Sequence, residues 1–567
     1  MDFKYAFFST MFSMLLFCFS GTRLSAELEL AQTALVEVDV SWELSRKIPD
    51  TLFGLFFEEI NHAGAGGIWA ELVGNRGFEA GGPHTPSDID PWSIIGDDSS
   101  IYITTDRSSC FSQNSVALRM EILCDNCPAG GVGIYNPGFW GMGGALLKVI
   151  GYGMLLGGGK LLVHGNRDLG TLEIKYFYGN FDGKLAEDLG ASPIWVFNAG
   201  ISHHDEVDTT VIEPFVKPMR VFSTIDQSWN LNEQSHIICA LDEMWLKDVL
   251  DSLEFARGSE ESTWGSVRAT MGHPERFPVK YVAIGNEDCG KEFYRGNYLK
   301  FYEAIREAYP DIQMISNCDG SSRPLDHPAD LYDFHVYTSA ANLFLMKNKF
   351  DRTSRIGPKV FVSEYAVNEP KDTGKGSLLA SLAEAAFLTG LEKNSDVVQM
   401  ASYAPLFVND NDRTWNPDAI VFNSWQQYGT PSYWMQTYFR ESSGSVIHPI
   451  TINSSYSDAL AASAITWQDA EDIFLRVKIV NFGPNAVNLT ISSKGLQAGV
   501  NTAKSTVTTL TSGNLLDENS FTEPNKVVPV TNMLPDASEE MQALLAPYSF
   551  TSFDLALDQY SKLVAEM

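Results

Sequence analysis

Basic residues are scarce in this chain: 40 Lys and Arg stand against 71 Asp and Glu in 567 residues, a formal charge of −31. No run of Lys or Arg interrupts the acidity, so phosphate backbones and anionic headgroups would be repelled, which argues against nucleic acid or a membrane surface as partner. Long apolar runs are missing too. Lys4 precedes an apolar stretch from Tyr5 to Phe19, and Leu24-Ser25-Ala26 offers a small residue for cleavage. That stretch falls short of the roughly 20 residues a spanning helix needs, and it reads as a secretory signal peptide over residues 1–26. No later segment is long and apolar enough to span. Cysteines number seven, and Cys18 leaves with the signal. Cys124-Asp-Asn-Cys127 lacks a second such pair or a His partner, which argues against zinc. In an oxidising compartment some of Cys110, Cys124, Cys127, Cys239, Cys289 and Cys318 should pair; at 124–127 a local disulfide and two buried thiols both fit. Apolar content is ample, at 44% hydrophobic and 12% aromatic residues, so wholesale disorder is excluded.

The pattern changes character along the chain. An alternating run from Leu30 to about Trp42 (Val36, Val38, Val40) predicts a strand, and Leu52 to Ile60 leads into the glycine-rich Asn61–Gly67. From Pro91 to Trp140, Ser/Thr-rich alternations such as Ser100–Thr105 predict part of a β-sandwich. Between Lys184 and Arg440, short apolar runs (Ile194–Phe197, Tyr281–Ile284, Ile312–Ile315, Phe334–Tyr337, Val360–Val362) alternate with amphipathic segments such as Tyr298–Tyr309 and Ser377–Leu391. This predicts a parallel sheet with crossover helices, an α/β barrel being the natural candidate. After Ser442, Leu475, Val477 and Ile479 alternate with Arg476 and Lys478, which predicts a terminal all-β sandwich. The expected division is a signal over 1–26, a strand joining the terminal sandwich over 27–52, the start of the barrel over 53–90, a partial sandwich over 91–142, an atypical segment over 143–183, the barrel over 184–440 and the sandwich over 441–567.

In an α/β barrel the strand C-termini face the active site. Tyr281-Val-Ala-Ile-Gly-Asn286-Glu287 and Val360-Phe-Val-Ser-Glu364-Tyr365 each put a Glu just past an apolar strand. A lone strand-end Glu is more often a salt-bridge or capping residue. A pair can cleave a glycosidic bond, one carboxylic acid protonating the leaving oxygen while the other carboxylate attacks the anomeric carbon or activates water. His335 and Tyr337, alternating on a strand, could equally fill a barrel interior; Glu58 beside Glu59 could be a solvated edge pair. His203-His204-Asp205 has the residue types of a metal site but stands in a loop after Asn198-Ala-Gly200. Trp415-Asn-Pro-Asp418 suits a sugar-stacking lid or an ordinary turn. Asn453-Ser-Ser455 and Asn488-Leu-Thr490 are glycosylation sequons.

Longer motifs carry a resemblance. Phe53-Gly-Leu-Phe-Phe-Glu58-Glu59-Ile-Asn-His, Gly74-Asn75-Arg-Gly-Phe-Glu79, Ala-Ile-Gly-Asn286-Glu287-Asp-Cys289-Gly, His335-Val-Tyr337 and Ser363-Glu364-Tyr365-Ala resemble glycoside hydrolase family 51, in particular its plant α-L-arabinofuranosidases. The resemblance implies a (β/α)8 TIM barrel with a jelly-roll-like C-terminal β-sandwich and a carbohydrate-binding-module-like N-terminal sandwich, secretion to the cell wall or extracellular matrix, arabinose-containing wall polysaccharides as substrates, and no cofactor or metal. Carried over by position, Glu287 is the acid/base and Glu364 the nucleophile of a retaining mechanism. Glu58, Asn286, His335 and Tyr337 match positions that hold the sugar hydroxyls or orient the nucleophile. Retention requires carboxyl groups about 5–5.5 Å apart and an acid that keeps its proton until the nucleophile has given its charge to the sugar.

The resemblance lapses twice. Before Leu185–Gly190, plant members carry the rest of the early sandwich and a strand ending Arg-Phe-Pro-Gly-Gly-Cys; here Gly143–Gly159 and a stretch of unlike pattern stand instead. Codons for the family segment read one nucleotide out of phase give a string much like Leu146–Leu156, so the stretch reads as a missed splice that returns to phase near Lys184. Between Phe215-Val-Lys217 and Asp248–Arg257, residues Pro218–Lys247 intervene, as a retained intron or a surface loop. Losing an early strand would expose ladder edges and remove a wall of the sugar pocket. A catalytically impaired carbohydrate-binding relative, or the unstable product of a faulty gene model, is therefore the alternative to an active hydrolase.

Overall fold

A computed structural model describes residues 32–61, 78, 89–90, 92–106, 117–124, 132–135, 146–149, 160–164, 186–187, 190–201, 245–423, 426–470 and 472–558. The signal, most of the glycine-rich segment, the Gly74–Glu79 motif apart from Phe78, His203-His204-Asp205 and most of Pro218–Lys247 lie outside these residues.

Seven apolar runs form one parallel sheet: β1 (Phe53–Leu55), β2 (Ile194–Phe197), β3 (Tyr281–Ile284), β4 (Gln313–Ser316), β5 (Leu331–Thr338), β6 (Lys359–Val367) and β7 (Val398–Tyr403). Its order is β2-β3-β4-β5-β6-β7-β1. Ile194, Ala283, Ile315, Leu331, Phe361 and Met400, one from each of six strands, meet in a single apolar cluster, so the sheet curls round an inner layer of side chains as a partial barrel. Its two open edges are β1 and β2, and among the described residues no strand pairs with either edge.

Among the described helices are α1 (Trp245–Arg257), α2 (Thr263–Thr270), α3 (Tyr294–Ala308), α4 (Ala340–Leu345) and α5 (Leu378–Lys393). Ser377 caps α5, accepting a hydrogen bond from the Ala380 N–H at 3.1 Å. This helix is apolar nearly all round and buried along its length, as that pattern requires. At Gly390 a Cβ would stand 2.1 Å from the Lys347 carbonyl oxygen, so only glycine allows the approach.

Two sheets make the C-terminal β domain. The first runs Ile450–Asn453, Gln32–Asp39, Val487–Lys494, Glu540–Leu545, so the N-terminal strand completes a sheet built from the far end of the chain. The second has seven strands, with Leu460–Asp469, Asp472–Asn481 and Ser549–Leu557 at its centre. Val36, Val38, Leu489 and Ile491 of one meet Leu475, Val477, Phe553 and Leu555 of the other in a shared core. The opposite face of Asp472–Asn481 is also covered: Lys478 is wholly buried and bonded to Glu392 of α5, and Arg476 pairs with Asp554 and Glu441. Val480, Leu510 and Phe550 join the apolar cluster of β6 and α5, so sheet and sandwich belong to one compact unit: residues up to 57, 194–220 and 281 onward.

The second unit comprises residues 58–193 and 221–280. Ser93–Ile95, Val132–Tyr135 and Leu146–Val149 form one antiparallel sheet; Ile101–Asp106, Ala117–Ile122 and Lys160–His164 form another. Leu146–Val149 and Lys160–His164 come from the stretch whose sequence departs from the family pattern. Helices α1 and α2 lie in this unit, joined by the buried Arg268, which donates to the carbonyls of Gly258 and Pro274, both at 2.9 Å.

Candidate active site

Beyond β3 the chain turns sharply, with Gly285 at φ 86° and Glu287 at φ 56°. Glycine is required at 285, where a Cβ would stand 2.7 Å from the Tyr294 ring. A left-handed conformation costs a non-glycine residue about 1–2 kcal/mol, and the surroundings of Glu287 hold it there. The Asn286 N–H donates to Asp288 Oδ2 at 3.0 Å, the Asp288 N–H donates to Asn317 Oδ1 at 2.6 Å, and a disulfide joins Cys289 to Cys318. The turn after β3 is thereby tied to the loop after β4. Cys124 is also disulfide-bonded.

On β5, alternation puts Asp333, His335 and Tyr337 on one face. Glu364 reaches that face through an irregularity in the ladder. Asp333 stands opposite Phe361 but His335 stands opposite Glu364, so two steps on β5 match three on β6. Regular pleating from Phe361 would send Glu364 to the other side; the bulge re-aims it. Glu364 therefore sits inside a nine-residue strand, not just past a short one as its sequence suggests.

The side chains then converge. The Tyr337 hydroxyl donates to Glu364 Oε2 at 2.7 Å. His335 Nδ1 lies 3.4 Å from the same oxygen and 3.1 Å from Glu287 Oε1, while Nε2 lies 2.9 Å from Asp333 Oδ2. Facing oxygens of Glu287 and Glu364 lie within 4.8 Å of each other. The Glu364 side chain is 7% exposed and that of Glu287 62%. Burial pushes the Glu364 carboxyl up, and the His335 charge and Tyr337 hydroxyl pull it back. Burial opposes a charge on His335, but the hydrogen bond and charge of Asp333, with Glu364 and Glu287, outweigh it and raise the imidazole to about 9.

Among the described residues, Glu287, His335 and Glu364 form a donor set of the kind that holds a metal ion. An imidazole protonated on both nitrogens has no lone pair to give, so at neutral pH the set fits a cation poorly. Asn286 lies beside Glu287 on the exposed turn. Glu58, three residues beyond β1, is partly exposed and belongs to the second unit. The Trp415 ring packs edge-on against Tyr337 at 5.3 Å, which brings the 415–418 turn to this cluster.

Asp333 and Asn317 were not singled out by the sequence, and Ser363 entered only as a neighbour in the Glu364 motif. Asp333 accepts from His335, from Asn317 Nδ2 at 3.2 Å and from the Ser363 hydroxyl. Its signal was present, two residues before His335 and in phase with it. Asn317 follows the end of β4 but carries no motif.

Two family models match the chain: the α-L-arabinofuranosidase 1 domain over residues 183–355 and the α-L-arabinofuranosidase C-terminal domain over residues 363–549. α-L-Arabinofuranosidase 1 of Arabidopsis thaliana is 48% identical over 645 residues, covering 92% of this chain and 90% of the relative. α-L-Arabinofuranosidase 2 of the same plant is 46% identical, covering 92% and 91%. Among solved structures, an arabinose-bound family 51 α-L-arabinofuranosidase matches with a TM-score of 0.65 at 20% identity, over 92% of this chain and all of that one. The Thermotoga maritima α-L-arabinofuranosidase in its arabinose complex matches with a TM-score of 0.55 at 16% identity, over 93% of this chain and all of that one. At those identities the likeness is one of fold.

Proposed function

Since the chain belongs to the α-L-arabinofuranosidases of glycoside hydrolase family 51, we propose that it is a retaining exo-hydrolase removing terminal α-L-arabinofuranosyl units from arabinan, arabinoxylan or arabinogalactan of the cell wall. The observation that carries this reading is the approach of Glu287 and Glu364 to within 4.8 Å. Retaining pairs stand about 5–5.5 Å apart, whereas inverting pairs leave about 6.5–9.5 Å for a water.

In the first step Glu287 gives its proton to the glycosidic oxygen as Glu364 attacks the anomeric carbon, forming a glycosyl ester and releasing the aglycone. In the second, Glu287 takes a proton from water, whose oxygen attacks the same carbon and frees Glu364. Two inversions give net retention. Burial on balance raises the Glu364 carboxyl, and the His335 charge and the Tyr337 hydroxyl oppose that rise and favour the carboxylate. Trp415 offers an aromatic face beside them. Asn286 takes a sugar hydroxyl, and the family position that Glu58 matches assigns it the same role.

On the same reading the partial barrel belongs to an eight-stranded (β/α)8 fold, the terminal sandwich is jelly-roll-like, and the early antiparallel sheets are part of a carbohydrate-binding-module-like sandwich. The protein is secreted, with Asn453 and Asn488, both exposed on the outer face of the four-stranded sheet, carrying glycans. No described helix is long and apolar enough to cross a membrane. A second reading, an impaired relative or the product of a misread message, is favoured by the lapse of the family pattern over Gly143–Gly159, with the sheet edges at β1 and β2 unpaired among the described residues.

Release of 4-nitrophenol from 4-nitrophenyl α-L-arabinofuranoside by the purified chain tests the first reading, with Glu364→Ala as control. Turnover well above the variant supports it, and a rate no higher than the variant's removes it.

A further inference from the structure

We propose that Asp333 is a positioning residue for this reaction, holding His335 between the two carboxylates and anchoring the backbone beside each of them. The inference rests on the assignment of Glu287 and Glu364 above and adds to it a residue that touches neither.

Asp333 is 8% exposed and uses both oxygens. Oδ1 accepts from the hydroxyl of Ser363, the residue before Glu364 on the bulged strand. Oδ2 accepts from His335 Nε2 at 2.9 Å and from Asn317 Nδ2 at 3.2 Å. Asn317 in turn receives the N–H of Asp288, the residue after Glu287, at 2.6 Å. One carboxylate therefore holds three elements: the β6 bulge directly, the β3 turn through Asn317, and the imidazole that faces both glutamates. Around His335 the charged and titratable groups are Asp333 and Tyr337 on its own strand, Glu364 on β6 and Glu287 on the β3 turn. Of these, Asp333 alone is turned away from the space between the two carboxylates, on the far nitrogen of the ring. Its hydrogen bond fixes the ring's orientation and holds a proton on Nε2, and its charge favours the imidazolium, in which Nδ1 carries a proton as well and donates toward Glu287 and Glu364. An amide at this position keeps one acceptor oxygen for Nε2–H but loses the negative charge that favours the imidazolium, and its NH2 then faces the Ser363 hydroxyl.

The test is steady-state kinetics on 4-nitrophenyl α-L-arabinofuranoside, together with titration of His335 by NMR on 13C-histidine-labelled full chain, assigned with His335→Gln. Asp333→Asn keeps the shape and removes the charge. It should lower kcat about 10²-fold with little change in KM, and shift the His335 midpoint down from about 9 by about one pH unit or more. Ser363→Ala cuts only the tie to β6 and should lower kcat while leaving the His335 midpoint in place. A folded Asp333→Asn protein, judged by near-ultraviolet circular dichroism, with wild-type kcat or an unmoved His335 midpoint overturns the proposal. Should Asp333→Asn not fold, Ser363→Ala decides, and wild-type kcat there overturns it. Absence of turnover in the wild type would sink the hydrolase reading instead, while the His335 midpoint would still judge its coupling to Asp333.

Discussion

Tyr337 and His335 decide whether Glu364 behaves as a nucleophile or as a buried acid. Burial on balance pushes its carboxyl up, and the two donors pull it part of the way back. Tyr337→Phe keeps the ring beside Trp415 but deletes the 2.7 Å bond. A hydrogen bond to a charged group is worth about 1.5–3 kcal/mol, or about 1–2 pH units. Because the nucleophile must be ionised, the acid limb of the kcat/KM profile should move to higher pH by that amount; an unmoved limb would exclude the role. Glu287→Ala makes a separate prediction. Nitrophenolate leaves with little help, so the first step is spared and the second loses its base, which should appear as a burst of nitrophenol followed by a slow phase. Equal loss of both phases would argue against the acid/base assignment. Glu287, Glu364, His335 and Tyr337 were legible as residues at strand ends or in alternation. The face that Glu364 occupies was not, because one extra residue in a ladder leaves no mark on composition or periodicity.

At the scale of elements, α5 places two carboxylates where water does not reach. Glu384 is fully buried and accepts from the Val367 N–H at 3.2 Å, at the end of β6. Burial raises it from 4.5 to about 8. A raised folded value means that folding takes up a proton, so stability is greatest below the unfolded pKa near 4.5 and declines as pH rises toward 8. Glu384→Gln keeps an acceptor and removes the linkage. It should stabilise the protein by about 3 kcal/mol at pH 7, and by far less at pH 5. Urea unfolding at both pH values checks this, and an equal gain at each would refute the buried-acid account. At the other end of α5, Lys478→Met leaves Glu392 buried without its partner and should cost about 3–5 kcal/mol in the same assay. The alternation of Leu475, Val477 and Ile479 with Arg476 and Lys478 made this strand legible. It did not show that the polar face is buried as well, since patterning records polarity and not what covers it.

For the whole molecule, three observations meet at one gap. Among the described residues the sheet is open between β1 and β2, the α-L-arabinofuranosidase 1 domain model matches from residue 183, and the alignment to the Arabidopsis relative runs over 645 positions, more than this chain's 567 residues. The parallel sheet was legible because strand and helix periods alternate plainly from Lys184 to Arg440, and the terminal β domain because its strands alternate; the open edge among the described residues was legible only as a lapse in resemblance. Long-read sequencing of the message from the signal peptide to Glu287 should restore a strand-coding segment before Lys184 and drop Pro218–Lys247. Full-depth, in-frame reads encoding both stretches as they stand would end the splicing account. The central claim, retention through Glu287 and Glu364, is tested most directly by proton NMR of the sugar first released from 4-nitrophenyl α-L-arabinofuranoside. The α-anomer should appear first and mutarotate later. A β-anomer appearing first, or no release above the Glu364→Ala background, would contradict the account.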